Sequence, residues 1–200
     1  MSPRTKEQFA EIRKQSSELI AQSALELFAY HGFHRTSIEQ IAKKAGVSKG
    51  LIYNYFATKD DLLRHIVESA IEVGENLMHE ADHQLTDPAA KILRIMDDLF
   101  ELLKKNTNYW KLLMMLSMQQ EIAKKFEAVI NQHAMKSVGQ LAGLLEQLGV
   151  QNHEMEALSL AAMFDGMTLH YIYMGDQYPL DEVLEHLKCK IDLLKRNDSG

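Results

Sequence analysis

The run TSIEQIAKKAGVSKGLIYNYFATKDD, residues 36–61, decides how the rest of the chain is read. Thr36 and Glu39 stand at capping-box spacing, so a hydroxyl and a carboxylate can satisfy free amide donors at a helix start. Ile38, Ile41, Ala42 and Ala45 recur at i, i+3, i+4 and i+7, one apolar face on two turns of helix. Gly46 allows that helix to end sharply, and Ser48 is a strong N-cap for the next one. Small Ala42 and Gly46, with Val47, Ile52 and Tyr55 directed inward, let two short helices cross closely at a steep angle. The arrangement expected over about 36–55 is a helix-turn-helix, whose second helix enters the DNA major groove.

With the inward positions assigned, Ser48, Lys49, Gly50, Leu51, Tyr53 and Asn54 are left facing outward. Lys49 can donate to guanine acceptors and Leu51 can touch a thymine methyl. Gly50 lets the backbone approach the duplex. Tyr53, Asn54 and the hydroxyl of Tyr55 suit phosphate contacts, which position the helix without reading sequence. Thr58 and Asp61 repeat the capping-box spacing, and Lys59 sits at that helix N-terminus, where amides and charge favour a phosphate. Thr36 and Ser37, at the start of the first short helix, complete the expected DNA-contact set.

On these residues the chain resembles the TetR family of transcriptional repressors. The family pattern appears as Thr36-Ser37, Ile41-Ala42, Ala45-Gly46-Val47-Ser48, Lys49-Gly50, Tyr53, Tyr55-Phe56 and Lys59. The preceding Ala24, Leu27, Phe28 and Gly32-Phe33 also fit. Leu51 departs from it, since many relatives carry a small polar residue there. The resemblance implies an all-α protein of about nine helices. An N-terminal three-helix DNA-binding domain would span 1–57, and a C-terminal helical bundle for effector binding and dimerisation would span 58–200.

Composition fits a helical, globular chain. Two hundred residues with 46% apolar content can bury a sizeable core, and only three prolines interrupt helix formers. A single cysteine, Cys189, rules out an internal disulfide framework and suits a reducing compartment. The first fifteen residues lack the apolar core of a signal peptide, and no apolar run approaches ~20 residues. A soluble, cytoplasmic protein without membrane contact is expected. The net charge of −6 conceals a segregation: residues 1–60 carry nine Lys/Arg against six Asp/Glu, or +3, and the remainder carries −9. An acidic body behind a basic head suits a DNA reader with a second, non-DNA-binding domain.

A first helix is expected over 7–31, with Ile12, Leu19, Ile20, Ala24, Leu27 and Phe28 packed beneath the helix-turn-helix. Arg4, Lys6, Arg13 and Lys14 at its front are candidates to reach phosphates. A fourth helix should start near Thr58 and run to about His83; the resemblance implies that it joins the two domains. Thr86-Asp87-Pro88 marks a break and a new start. Further helices are expected at about 88–105, 108–117, 119–147 and 153–174, with a last one ending near Lys195.

Soft and aromatic residues crowd two of these segments: Tyr109, Trp110, Met114, Met115 and Met118, then Met163, Phe164, Met167, His170, Tyr171 and Met174. Such stripes usually form core, but methionine adapts its shape and contacts aromatics. With the resemblance, a mostly apolar effector pocket is expected, with Tyr109, His170 and Tyr171 as polar handles. His170 can equally be a core histidine with a satisfied hydrogen bond. Leu158, Ala161, Ala162, Asp165, Gly166 and Leu169, followed by Val183, Leu184, Leu187, Ile191 and Leu194, permit close packing between two copies. The resemblance implies a homodimer paired through these two helices. One short reading helix also needs a second half-site to gain specificity, hence a palindromic operator.

His79-Glu80-Ala81-Asp82-His83 matches H-E-x-x-H, the zinc-peptidase helix motif, with Glu101 as a conceivable third ligand. Its polar flanks Glu75, Asn76 and Gln84 do not suit a buried zinc helix, which leaves adventitious surface metal binding at His79 and His83. No nucleophile triad, phosphate loop or dinucleotide fingerprint occurs. The expectation is therefore no enzyme, no cofactor and no functional metal. The function expected is a ligand-responsive, dimeric repressor. The alternative is a DNA binder of the same type without a small-molecule effector, acting through a protein partner or architecturally.

Overall fold

The computed structural model describes residues 6–196. Among them the chain forms nine α-helices, one 3-10 turn and no strand. The helices are α1 (Lys6–His31), α2 (Ile38–Ala45), α3 (Lys49–Tyr55), α4 (Lys59–Gln84), α5 (Pro88–Lys105), α6 (Thr107–Ser117), α7 (Gln120–Gln147), α8 (His153–Met174) and α9 (Leu180–Arg196).

The caps explain most boundaries. The N-cap of α2 is Ser37: its hydroxyl accepts from the Gln40 amide, and the Gln40 side chain accepts from the Ser37 amide. The expected box of Thr36 and Glu39 is thus displaced by one residue, because Thr36 is buried and turned the other way. Gly46 ends α2 at φ 66°, and the amides of Gly46 and Val47 return to the carbonyls of Lys43 and Ala42. Ser48 caps α3 by accepting from Leu51 N at 3.1 Å. The reciprocal box of Thr58 and Asp61 forms at the head of α4. Asp87 accepts from Ala90 N, with Pro88 just inside α5.

Packing divides the chain into two compact units. One takes in α1 to α3, α4 through Ile71, and Lys111–Lys124; the other takes in Glu72–Trp110 and the chain from Lys125 on. The helix-turn-helix ends with α3 at Tyr55, and the packing boundary lies farther along than residue 57, inside α4. Leu62, Leu63 and Ile66 of α4 are buried with the first unit's core, so its first turns cannot belong elsewhere.

That core is Ile20, Ala24, Leu25 and Phe28 of α1 against Ile41 and Ala42 of α2 and Ile52 of α3. Ile12 and Leu19, expected on the packed face, are instead 40% and 50% exposed. Among the described side chains of α1 burial begins at Ile20, and Leu19 lies one position round the helix from it. In the second unit, Phe100, Leu145, Ala157 and Ile191 anchor a core drawn from α5, α7, α8 and α9. Leu184, Leu187 and Ile191 of α9 are buried in it, which corrects their assignment to an interface between copies. Leu158, Ala162 and Met163 of α8 remain exposed.

The left-handed backbone at Gly46 sets the angle between α2 and α3. A Cβ there would meet nothing within 4 Å, so the penalty of Gly46→Ala is conformational alone. The variant should lose about 1–2 kcal/mol of stability in chemical unfolding, without a change in helical content below the transition.

Candidate functional site

In the first unit the outer face of α3 stands clear of the core. Ser48, Lys49, Gly50, Tyr53 and Asn54 are exposed, Leu51 and Tyr55 are half-buried, and Ile52 is fully buried as the anchor. A Cβ at Gly50 would meet only the Ser48 hydroxyl, at 4.0 Å, so its surface is open to close approach. Tyr55 lies beneath the guanidinium of Arg13, 5.2 Å from the ring centroid, which places a cation from α1 beside α3. Lys14 faces Glu18 along α1 at 4.0 Å. Arg4 lies outside the described residues, as does the side chain of Lys6. Ser37 is exposed and engaged in its cap.

Two expected DNA contacts are committed to the fold instead. Thr36 is 2% exposed, and its hydroxyl bonds the carbonyls of Gly32 at 2.9 Å and Leu27 at 3.3 Å. The Lys59 ammonium donates to the carbonyls of Phe33 and Thr36, each at 2.8 Å, and lies 4.3 Å from the Phe33 ring centroid. Burial lowers its pKa, opposed by the charge of Glu121. Both side chains face the α1–α2 loop, whose carbonyls need donors, rather than solvent. The same loop region is fastened from another side. Gln119 donates to the Phe28 carbonyl at 2.8 Å, and His34 pairs with Glu121. Sequence reasoning missed Gln119 and Glu121, which lie some ninety residues from their partners.

The second unit contains a cavity of about 210 Å3 lined from α4, α5, α7, α8 and α9, with Met78, Met96, Leu141, Phe164 and Ile191 on its walls. Of the nine residues expected to bind an effector, only Phe164 lines it. Met163, Met167 and His170 border a separate, shallower groove beside Tyr178, and His170 stacks on Tyr178 while bonding the Gly166 carbonyl at 2.7 Å. Trp110 packs on the core with its indole N–H 3.3 Å from the Leu102 carbonyl, and Tyr171 packs on the same core. Tyr109 is half-buried edge-on to Trp110, and that burial raises its phenol pKa. Met114 and Met118 belong to the first unit, and Met118 is 65% exposed.

The polar residues of the cavity wall are Ser137 and Asp165. Asp165, expected at an interface between copies, lines the cavity instead; a lone carboxylate within the apolar run Leu160–Leu169 is the available clue. His79 and His83 pair with each other, Nε2 to Nε2, at 3.0 Å. Glu101 is engaged by Lys104, and no group of three or more metal-ligating side chains occurs among the described residues.

Two substitutions separate reading from scaffolding. Lys49→Ala should cost about 1–3 kcal/mol of discrimination between cognate and altered sites in competition binding, with thermal stability unchanged. Lys59→Met should do the reverse, lowering unfolding stability by about 1 kcal/mol or more as two carbonyls lose their donor, while the ranking of DNA sites is kept.

The comparisons agree with this geometry. Residues 20–66 match the family model for bacterial regulatory proteins of the tetR family. The transcriptional regulator HbdR of Aromatoleum sp. is 37% identical over 73 residues, which cover 36% of this chain and 32% of that relative. The chain thus spans about a third of HbdR. BetI of Yersinia pestis is 28% identical over 158 residues, 76% of this chain and 79% of BetI. A TetR-like transcriptional regulator from Rhodococcus sp. RHA1 superposes with a TM-score of 0.72 at 22% identity, covering 100% of both chains. A chain from Saccharomonospora viridis, described as a transcriptional regulator and bound to choline, gives 0.65 at 20% identity, covering 90% of this chain and 96% of that one. Among the described residues no helix is long and apolar enough to cross a membrane. Residues 20–66 thus resemble the DNA-binding part of the tetR family of bacterial regulatory proteins, and the chain as a whole shares the fold of TetR-like transcriptional regulators.

Proposed function

We propose that the chain is a cytoplasmic homodimeric repressor, released from a palindromic operator by a small, largely apolar effector. The observation that carries the reading is the outer face of α3: five exposed residues able to meet bases and phosphates, held by buried Ile52 and capped at Ser48. Lys49 reads guanine, while Tyr53 and Asn54 fix the register on phosphates. A helix of seven residues offers too few base contacts for useful specificity, so a second copy supplies the other half-site. The exposed Leu158, Ala162 and Met163 of α8 give two copies an apolar face to bury.

The effector reading is supported by the apolar cavity of the second unit and by a protein of the same fold that holds choline. The effector acts by binding the DNA-incompetent arrangement better than the competent one; equal affinity for both would change nothing.

Selection from random DNA by the full chain, followed by sedimentation of the complex, tests the reading. The expected outcome is a palindrome with half-sites about one helical turn, ~10 bp, apart, bound by two copies. No enriched site, or one copy on an asymmetric site, would overturn it.

A further inference from the structure

The wall of the second unit's cavity has a one-sided charge. Met78, Met96, Leu141, Phe164 and Ile191 typify its apolar lining, and among the described residues no lysine, arginine or histidine contributes to it. The polar exceptions are the Ser137 hydroxyl and the Asp165 carboxylate. Asp165 both lines the cavity and reaches solvent, so it stands at the mouth rather than at the bottom. It has no ion-pair or hydrogen-bond partner among the described residues. Burial raises its pKa, and no neighbouring cation opposes the shift. Its carboxylate therefore lacks both full hydration and a counter-ion, and ionisation there is under-compensated.

We propose that the cavity takes an organic cation: an ammonium or quaternary ammonium group against Asp165, with its apolar chain lying among Met96, Leu141 and Ile191. The proposal rests on the effector reading above and adds to it the sign of the ligand's charge. A cation supplies the missing counter-ion where solvent is partly excluded. Phe164, next to Asp165 in the chain, puts an aromatic ring on the same wall, a second group that favours a cation. A neutral chain gains the apolar contacts and leaves the carboxylate as it was. A carboxylate or phosphate ligand meets no cationic partner in the lining and is repelled by Asp165.

The test is titration calorimetry of the full chain with octylammonium, octanol and octanoate, which share one chain length and differ in charge. The expected order is octylammonium tightest, octanol next and octanoate weakest. The cation should lead the alcohol by on the order of fivefold, as one partly exposed ion pair allows. Asp165→Asn should remove that lead and leave octanol binding unchanged. Octanoate binding as tightly as octylammonium, or a cation preference that survives Asp165→Asn, would overturn the cation assignment while octanol binding kept the cavity reading intact. Binding of none of the three would overturn both. The wild-type ranking decides the question even if the variant fails to fold.

Discussion

The Lys59 ammonium, held between the carbonyls of Phe33 and Thr36 and over the Phe33 ring, is the contact on which the DNA-reading unit depends. A loop that is partly withdrawn from water must find donors for its carbonyls, and here α4 supplies one and the buried Thr36 hydroxyl another. With the loop fixed, Ser37 is placed to cap α2. The left-handed turn at Gly46 then sets the direction of α3, and Ser48 caps that helix. Each step is local, but the orientation of the reading face is inherited from the first.

The same economy appears in the charge distribution. The segment up to residue 60 carries +3 within a chain of −6, the sign that a phosphate backbone attracts. Lys49 is exposed on α3, whereas Lys44 is paired with Glu26 at 2.7 Å and Lys59 is engaged in the loop. On the proposed reading, specificity comes from the geometry of α3 and from a second copy. In the second unit, where charge is strongly negative overall, the cavity wall is nearly neutral and its single carboxylate is conspicuous.

The helices and caps were legible in the sequence because each is written within a few residues. Gly46, Ser48, the box of Thr58 and Asp61, and Pro88 all mark their boundaries as local chemistry requires. The outward face of α3 was legible for the same reason: buried Ile52 fixes the register of its neighbours. Thr36 and Lys59 were misjudged because their partners are backbone carbonyls, which leave no mark in a side-chain pattern. The tie of Gln119 to Phe28 was invisible because it joins residues far apart in sequence. The cavity was the hardest feature to foresee. It is a place where five helices fail to fill space, and no spacing within one helix encodes that; of the methionine and aromatic stripes, Trp110, Phe164, Met167 and Tyr171 pack in or on the core, while Met118, Met163 and Met174 are exposed.

Guanine methylation interference on the selected operator, combined with hydroxyl-radical footprinting, tests the central claim most directly, because N7 of guanine lies in the major groove. The account predicts interference at major-groove guanines in two blocks about one helical turn apart, flanked by backbone protection. Backbone protection without any major-groove interference would contradict it, since the face built from Ser48 to Asn54 would then not be reading DNA.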